Sequence, residues 1–480
     1  MIKTRILVLL TIAGAIAVTP CVRAGETNTT DEISTLRQEI DALDQKLRVL
    51  ERQRELDQDA SADKAKEAAK STPVIFAGAN GIGFRSADTN FVLALHGVLQ
   101  LDGREFFHDH SIKGNDTFLL RRARPILQGT VFRDFDFLFV PDFGGGTVQI
   151  VDAYLNYRFR PELQLEGGKF KSPVGLEHLQ ADSWTLFNER SIATDLVPNR
   201  DLGFALHGDV LGGVVSYWAG IFDGAPDYAG TTTNADFDDN KAFAGRLFFQ
   251  PFKTSSIFAL KGLGFGVGGS YQLDHAWTNT VNTGVTSGYL SDGQQKFFAY
   301  TNNVVGYGAH WRFSPQGYYY YGPASLMGEY MVSEQRVRNV PKGQSAQLRN
   351  TAWEISGGLV LTGEEATYAG VTPSHSFDPL NGGWGALQLV GRYSRLDIDS
   401  KAFPVYADRN ASASSAQEWS VGLNWYLNKC VRVNASYART RFDLMPGAKP
   451  STSPVGVASR SSAVINQPEN VFFTRLQLAF

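Results

Sequence analysis

From residue 74 to the C-terminus, apolar and polar residues alternate in short runs broken by Gly, Asn, Asp and Pro clusters. Phe91, Leu93, Leu95, Gly97, Leu99 and Leu101 share one face of such a run, and His96, Gln100, Asp102 and Arg104 the other. Trp353, Ile355, Leu359 and Leu361 oppose Glu354, Ser356 and Thr362. Trp419, Val421, Leu423, Trp425 and Leu427 oppose Ser420, Gly422, Asn424 and Asn428. Phe472, Leu476, Leu478 and Phe480 oppose Arg475 and Gln477. A period of two is that of a strand with one apolar and one polar face. Sixteen such strands are predicted, starting near residues 91, 118, 134, 149, 162, 200, 213, 241, 263, 297, 317, 348, 383, 416, 431 and 470. The even count and about 26 residues per strand with its connection suit membrane strands of about ten residues joined by short turns and long loops. The pattern predicts an all-β fold over 72–480, a 16-stranded antiparallel transmembrane β-barrel. A soluble sandwich rarely holds so many strands, and a propeller would repeat every 40–50 residues or so, which this chain does not.

The first 71 residues follow other rules. Lys3 and Arg5 precede an apolar run from Ile6 to Val18, and Val22-Arg23-Ala24 offers a small residue for cleavage. This reads as a signal peptide over 1–24. A lipid-anchored Cys21 is the rival, but Val18-Thr19-Pro20 fits that poorly. Ile33, Leu36, Ile40, Leu43, Leu47 and Leu50 then recur at alternating spacings of three and four, the seam of a short coiled coil. The alternative is one amphipathic helix lying on a domain. Asp57 to Ser71 reads as a linker or fraying helix end before Pro73, so 25–71 is assigned to coiled coil and linker.

Composition narrows the function classes. Aromatics reach 12% and Gly 48 residues, which excludes disorder and argues against an ordinary helical enzyme. The mean hydropathy of −0.19 looks soluble, and only one N-terminal run approaches the roughly 20 apolar residues of a membrane helix, which argues against a helical membrane protein but not against a barrel. A net charge of −3 gives no basic surface for nucleic acid. Two cysteines, Cys21 and Cys430, build neither a disulfide framework nor a metal centre.

Candidate chemistry is sparse. Gly264-Phe-Gly266-Val-Gly268-Gly269 lies in a strand-like run with no helix after it, so it reads as structural. His108-Asp109-His110 lacks further ligands and reads as a solvated loop. No catalytic constellation, cofactor or metal site is assigned. Residues 72–480 carry 34 bases and 36 acids, so any charge selectivity must come from where the bases point. Arg122 and Arg124 share a face with Gln128 and Thr130, opposite Leu119, Ala123, Leu127 and Val131. A lipid-facing Arg at mid-bilayer costs about 2–4 kcal/mol, so the Arg122 face is predicted to be the lumen. The same argument turns Arg246, Arg392 and Arg475 inward. Arg121 breaks the alternation unless it sits at the interface or beside a bulge.

From 118 to 204 the chain resembles the phosphate-selective porin O/P family. The residues that carry this are Phe118-Leu-Leu-Arg-Arg-Ala-Arg, Gly129-Thr-Val-Phe-Arg-Asp-Phe-Asp, Val151-Asp-Ala-Tyr-Leu, Gly168-Lys-Phe-Lys-Ser-Pro-Val-Gly-Leu-Glu, Trp184 and Asn188-Glu-Arg190. The resemblance implies a homotrimeric outer-membrane porin in the lipid of that membrane, passing small anionic solutes such as phosphate or polyphosphate by passive diffusion. It also implies a loop, about 171–199, folded inward as a constriction. The family's paired arginines match Arg121 and Arg122, and its acidic wall residue matches Asp152. Where phosphate channels of the family carry a Ser-Lys pair, this chain has Asp182 and Ser183. The remaining basic track is Lys169, Lys171, Arg190 and Arg200, beside the lumen-facing Arg122 and Arg124. The alternatives are a general or carbohydrate pore and, from another class, a barrel-borne enzyme or adhesin.

Overall fold

The computed structural model describes residues 29–79, 81–107, 114–228, 238–276, 283–450 and 464–480. The expected signal peptide, Cys21 and the His108–His110 triplet lie outside the described residues.

The chain divides into two units, Met1–Ser71 and Thr72–Phe480. The first holds one helix, α1 (Thr29–Ser71). It continues through 57–71, the stretch expected to be a linker or fraying end, because Ala, Lys and Glu are good helix formers. Its stripe of Ile33, Leu36, Ile40, Leu43, Leu47 and Leu50 is 51–66% exposed.

The second unit is a closed antiparallel barrel of 16 strands. They are β1 (Val92–Phe106), β2 (Thr117–Val131), β3 (Phe135–Asp142), β4 (Gln149–Arg160), β5 (Leu163–Lys171), β6 (Arg200–Val210), β7 (Val215–Phe222) and β8 (Ala242–Phe249). There follow β9 (Leu263–His275), β10 (Val304–Tyr321), β11 (Ala324–Asn339), β12 (Gln344–Val360), β13 (Ala386–Asp397), β14 (Ser415–Tyr426), β15 (Val431–Asp443) and β16 (Glu469–Ala479). β16 closes on β1, from Ala479 opposite Val98 to Val471 opposite Phe106. Inside this seam Arg475 donates to both oxygens of Asp102, at 2.6 and 2.7 Å. A hairpin, Val74–Gly78 with Gly81–Arg85, lies outside the sixteen expected strands and pairs with Val92–Leu95 of β1.

Leu99, Leu101, Ile355, Trp419, Val421, Leu423 and Leu476 face outward and are exposed, while Gln100, Asp102, Glu354, Ser420, Asn424 and Gln477 are buried inside. This is the apolar belt and polar interior of a membrane barrel. No helix among the described residues is long and apolar enough to cross a membrane.

Two expected strand starts move by seven residues each, 297 to 304 and 317 to 324. Phe297 and Phe298 belong to a separate short strand, Lys296–Phe298, paired with Tyr289–Leu290. Gly317 to Tyr321 ends β10 instead of opening the next strand. The apolar core is also unusual in place. Val174, Ile192, Leu196, Phe297 and Phe298 from the loops pack against Met331, Leu348, Ala352 and Leu396 of the wall. A barrel of this size encloses an aqueous lumen; here loops fill part of it.

Candidate pore constriction

The connection 172–199 leaves β5 at Lys171 and rejoins β6 at Arg200. It is tied to strands all round the barrel. Gln316 of β10 donates to Val174 O at 2.8 Å, and Glu329 of β11 accepts from the Leu176 and Glu177 amides at 2.7 and 3.1 Å. Arg392 of β13 donates to Glu189 O at 2.9 Å, and Arg432 of β15 to Thr185 O at 2.9 Å. Gln477 of β16 and Gln100 of β1 donate to Ser183 O and Asp182 O at 3.0 and 3.1 Å. The glycine run on β9 has its use here. A Cβ on Gly268 would stand 2.2 Å from Val174 O, so the missing side chain lets the loop lie against the wall. The sequence reading of that run as structural agrees with this.

The arginine strand is built on a bulge. Gln100 faces Arg122 across the ladder, and the next residue, Leu101, faces Leu120. Arg121 is therefore the extra residue, and Arg121 and Arg122 both reach buried partners inside. The bulge corrects one expectation: Phe118 and Leu120 are outward and exposed, while Leu119 pairs with inward Asp102. Phase changes by one residue at a bulge, which strict alternation does not anticipate.

Three charge clusters result. Arg121 grips Glu189 with two bonds of 2.7 and 2.9 Å, and Arg104 adds a third at 2.7 Å. Asp182 ion-pairs with Arg122 at 3.3 Å, with Arg190 at 2.6 Å and with Arg124, which also holds Asp142 at 2.6 Å. Arg200 meets Asp152 at 2.9 and 3.3 Å. Lys171 donates to the carbonyls of His178 and Gln180 at 2.8 and 2.7 Å. Burial alone would raise the carboxyls of Asp182 and Glu189, but the arginines outweigh it and hold both below the usual range. Burial, aided by Lys171, Arg190 and Arg200, pushes His178 well down, so it is neutral.

Beside the loop lies a cavity of about 1390 Å³. Among the sequence-predicted residues, Arg124, Asp152, Lys171, Asp182, Ser183 and Arg200 line it. Arg121, Arg122, Lys169 and Arg190 do not. The first two and Arg190 stand behind it in the ion pairs above, and Lys169 is buried opposite Ala153 and Leu202. Sequence reasoning gave Glu189 no role, although it sits inside Asn188-Glu-Arg190; charge between two motif positions was the available signal. It also missed Tyr368. This residue comes from the 361–385 connection and donates to Leu176 O at 2.7 Å.

Residues 94–445 match the family described as phosphate-selective porin O and P. Porin O of Pseudomonas aeruginosa is 26% identical over 398 residues, 76% of this chain and 86% of that protein. Among solved structures, the outer-membrane channel DcaP of Acinetobacter baumannii matches with a TM-score of 0.50 at 12% identity, covering 83% of this chain and 99% of that one. An anion-selective porin from Comamonas acidovorans matches with a TM-score of 0.49 at 11% identity, covering 81% of this chain and all of that one (100%). With a 16-stranded barrel, an apolar belt and an inward loop already in place, the chain belongs to the phosphate-selective porin O and P family, and it is a porin of the bacterial outer membrane.

Proposed function

We propose that this porin is a passive channel with a mild preference for anions, and that it binds phosphate weakly. The observation that carries the preference is the lining of the cavity. Arg124, Lys171, Arg200, Arg246, Lys429 and Arg432 face it, against Asp136, Asp152, Glu166 and Asp182. An excess of fixed positive charge lowers the barrier for anions and is screened by salt. No covalent step is involved, and no cofactor is needed. The family that this chain matches is described as phosphate-selective, which supports the substrate class.

Asp182 supports the weak binding. It already occupies Arg122, Arg124 and Arg190 as a built-in anion. Phosphate must compete with a carboxylate that the fold holds in place. Reversal potentials in a KCl gradient across planar bilayers test this reading: an anion-selective potential with only weak phosphate block of chloride current is expected. A cation-selective potential would overturn it. The functional unit in this reading is a homotrimer, and the exposed apolar stripe of α1 supports association of chains. Unheated gel migration and cross-linking of the full chain test that part.

A further inference from the structure

Away from the arginine clusters, the loop's short helix Leu176–Leu179 meets β11 and β12. There a carboxylate oxygen from each of Glu177, Glu329 and Glu354 lies within 4.8 Å of the other two. All three residues are buried, at 4%, 5% and 2% exposure. Glu329 and Glu354 face each other across the ladder. Their charge is not matched. Arg392 comes within 3.4 Å of Glu177, but it also serves Asp292 at 2.6 Å and Glu418 at 3.0 Å. Among the described residues no side-chain cation ion-pairs with Glu329 or Glu354.

Hydrogen bonding leaves the same gap. Neither oxygen of Glu354 has a hydrogen-bond partner, although the residue is almost fully buried. The buried hydroxyls of Ser356 and Ser394 also lack partners. Ser356 is two residues along the same inward face, and Ser394 stands opposite Glu354 in β13. Glu329 accepts the Leu176 amide and, at 3.4 Å, the Ser314 hydroxyl on Oε2, but only the Glu177 amide on Oε1; a carboxylate offers about four acceptor positions, so Oε1 keeps room for another partner. Buried carboxylates without partners are costly and are normally paired or bound to metal.

We propose that Glu177, Glu329 and Glu354 bind one calcium-type divalent cation, which clamps the constriction loop to the barrel wall. The donor set is all oxygen, with three carboxylates and two hydroxyls beside them, and no nitrogen or sulfur. That is the preference of a hard cation. Calcium, which takes 6–8 oxygens in a flexible shell, suits three carboxylates from three elements better than magnesium does. One ligand rides on the loop and two on the wall, so the ion ties the one to the other.

The test uses the full chain refolded in detergent without lipopolysaccharide, which itself binds calcium. After chelation, the protein is titrated with CaCl2 calorimetrically and with radiolabelled calcium. One ion per chain is expected, with a rise in unfolding temperature on binding. The isosteric Glu354→Gln variant is expected to weaken binding about tenfold or more and to lose the calcium-dependent rise. Wild-type protein that binds no calcium and unfolds at the same temperature with or without chelator would overturn the proposal, whatever the variant does. Unchanged binding in a folded Glu354→Gln variant would overturn it too. Either result would mean that protons, not a metal, neutralise the cluster.

Discussion

Replacing Asp182 by Ser and Ser183 by Lys removes one negative charge from the constriction and adds one positive. Both positions line the cavity, so a passing anion feels both. At about 6 Å, one unit charge acts on a monovalent anion with roughly 0.7 kcal/mol at the dielectric of water and about 3 kcal/mol at an effective dielectric near 20. The cavity is wet, so the lower figure applies. Two charges acting on a dianion give about 3 kcal/mol, which salt screening cuts to roughly 1.5–2.5 kcal/mol. The concentration of phosphate that half-blocks chloride current should fall about 10- to 100-fold. The change also frees Arg122, Arg124 and Arg190, and stranding buried charge can cost about 3–5 kcal/mol. Unheated gel migration must therefore show a folded barrel before currents are compared. The assay is phosphate titration of chloride conductance in planar bilayers. If the wild-type channel already shows tight phosphate block, or if a folded double variant blocks no better, Asp182 is not the brake and the reasoning fails.

The remaining predictions use other parts of the barrel. Arg124→Ala should move the reversal potential towards cations more than Arg122→Ala does, because Arg124 lines the cavity and Arg122 stands behind it; equal shifts would mean the two act only through Asp182. Arg475→Ala leaves buried Asp102 unpaired at the seam and should cost about 3–5 kcal/mol, read as a lower temperature for loss of the compact gel form. Deleting 25–71 should leave a barrel that assembles and conducts, because α1 lies in a separate unit and adds no strand; failure to insert into membranes would refute this.

The strands were legible because a lipid outside and water inside impose opposite demands on alternate residues. Trp419, Val421 and Leu423 needed no partner knowledge to be placed. The period fails where a face is covered on both sides. Phe297 and Phe298 alternate with nothing, since they pack within the lumen against loop and wall, and the strand expected there begins at Val304. It breaks again at Arg121, which the sequence marks as out of step and where one of the two readings, a bulge, is what changes the phase. The constriction was legible only as a resemblance, and only its near wall. Asp182 and Arg124 sit on or beside the quoted motifs, and Arg200 lies within the resembling stretch. The opposite anchors do not: Arg392 meets Glu177 across 215 residues, and Gln477 meets Ser183 across 294. No local pattern encodes a pairing of that span. Tyr318, near the end of β10 where a membrane barrel carries an aromatic girdle, lines the cavity instead.

The bulge at Arg121 also decides which length changes β2 can absorb. Outward Leu120 and inward Arg122 flank the inserted residue, so removing Arg121 alone leaves in, out, in, out unbroken along the whole strand. Removing a residue elsewhere in the strand, with the bulge kept, instead turns the part beyond it inside out. The guanidinium that grips Glu189 therefore stands on the bulge residue, which the ladder between β1 and β2 does not need. Selection on permeation can add or discard that residue without renegotiating the wall. Because Arg121 and Arg122 are adjacent arginines, a relative with one arginine fewer here would keep the fold and lose only a charge of the channel.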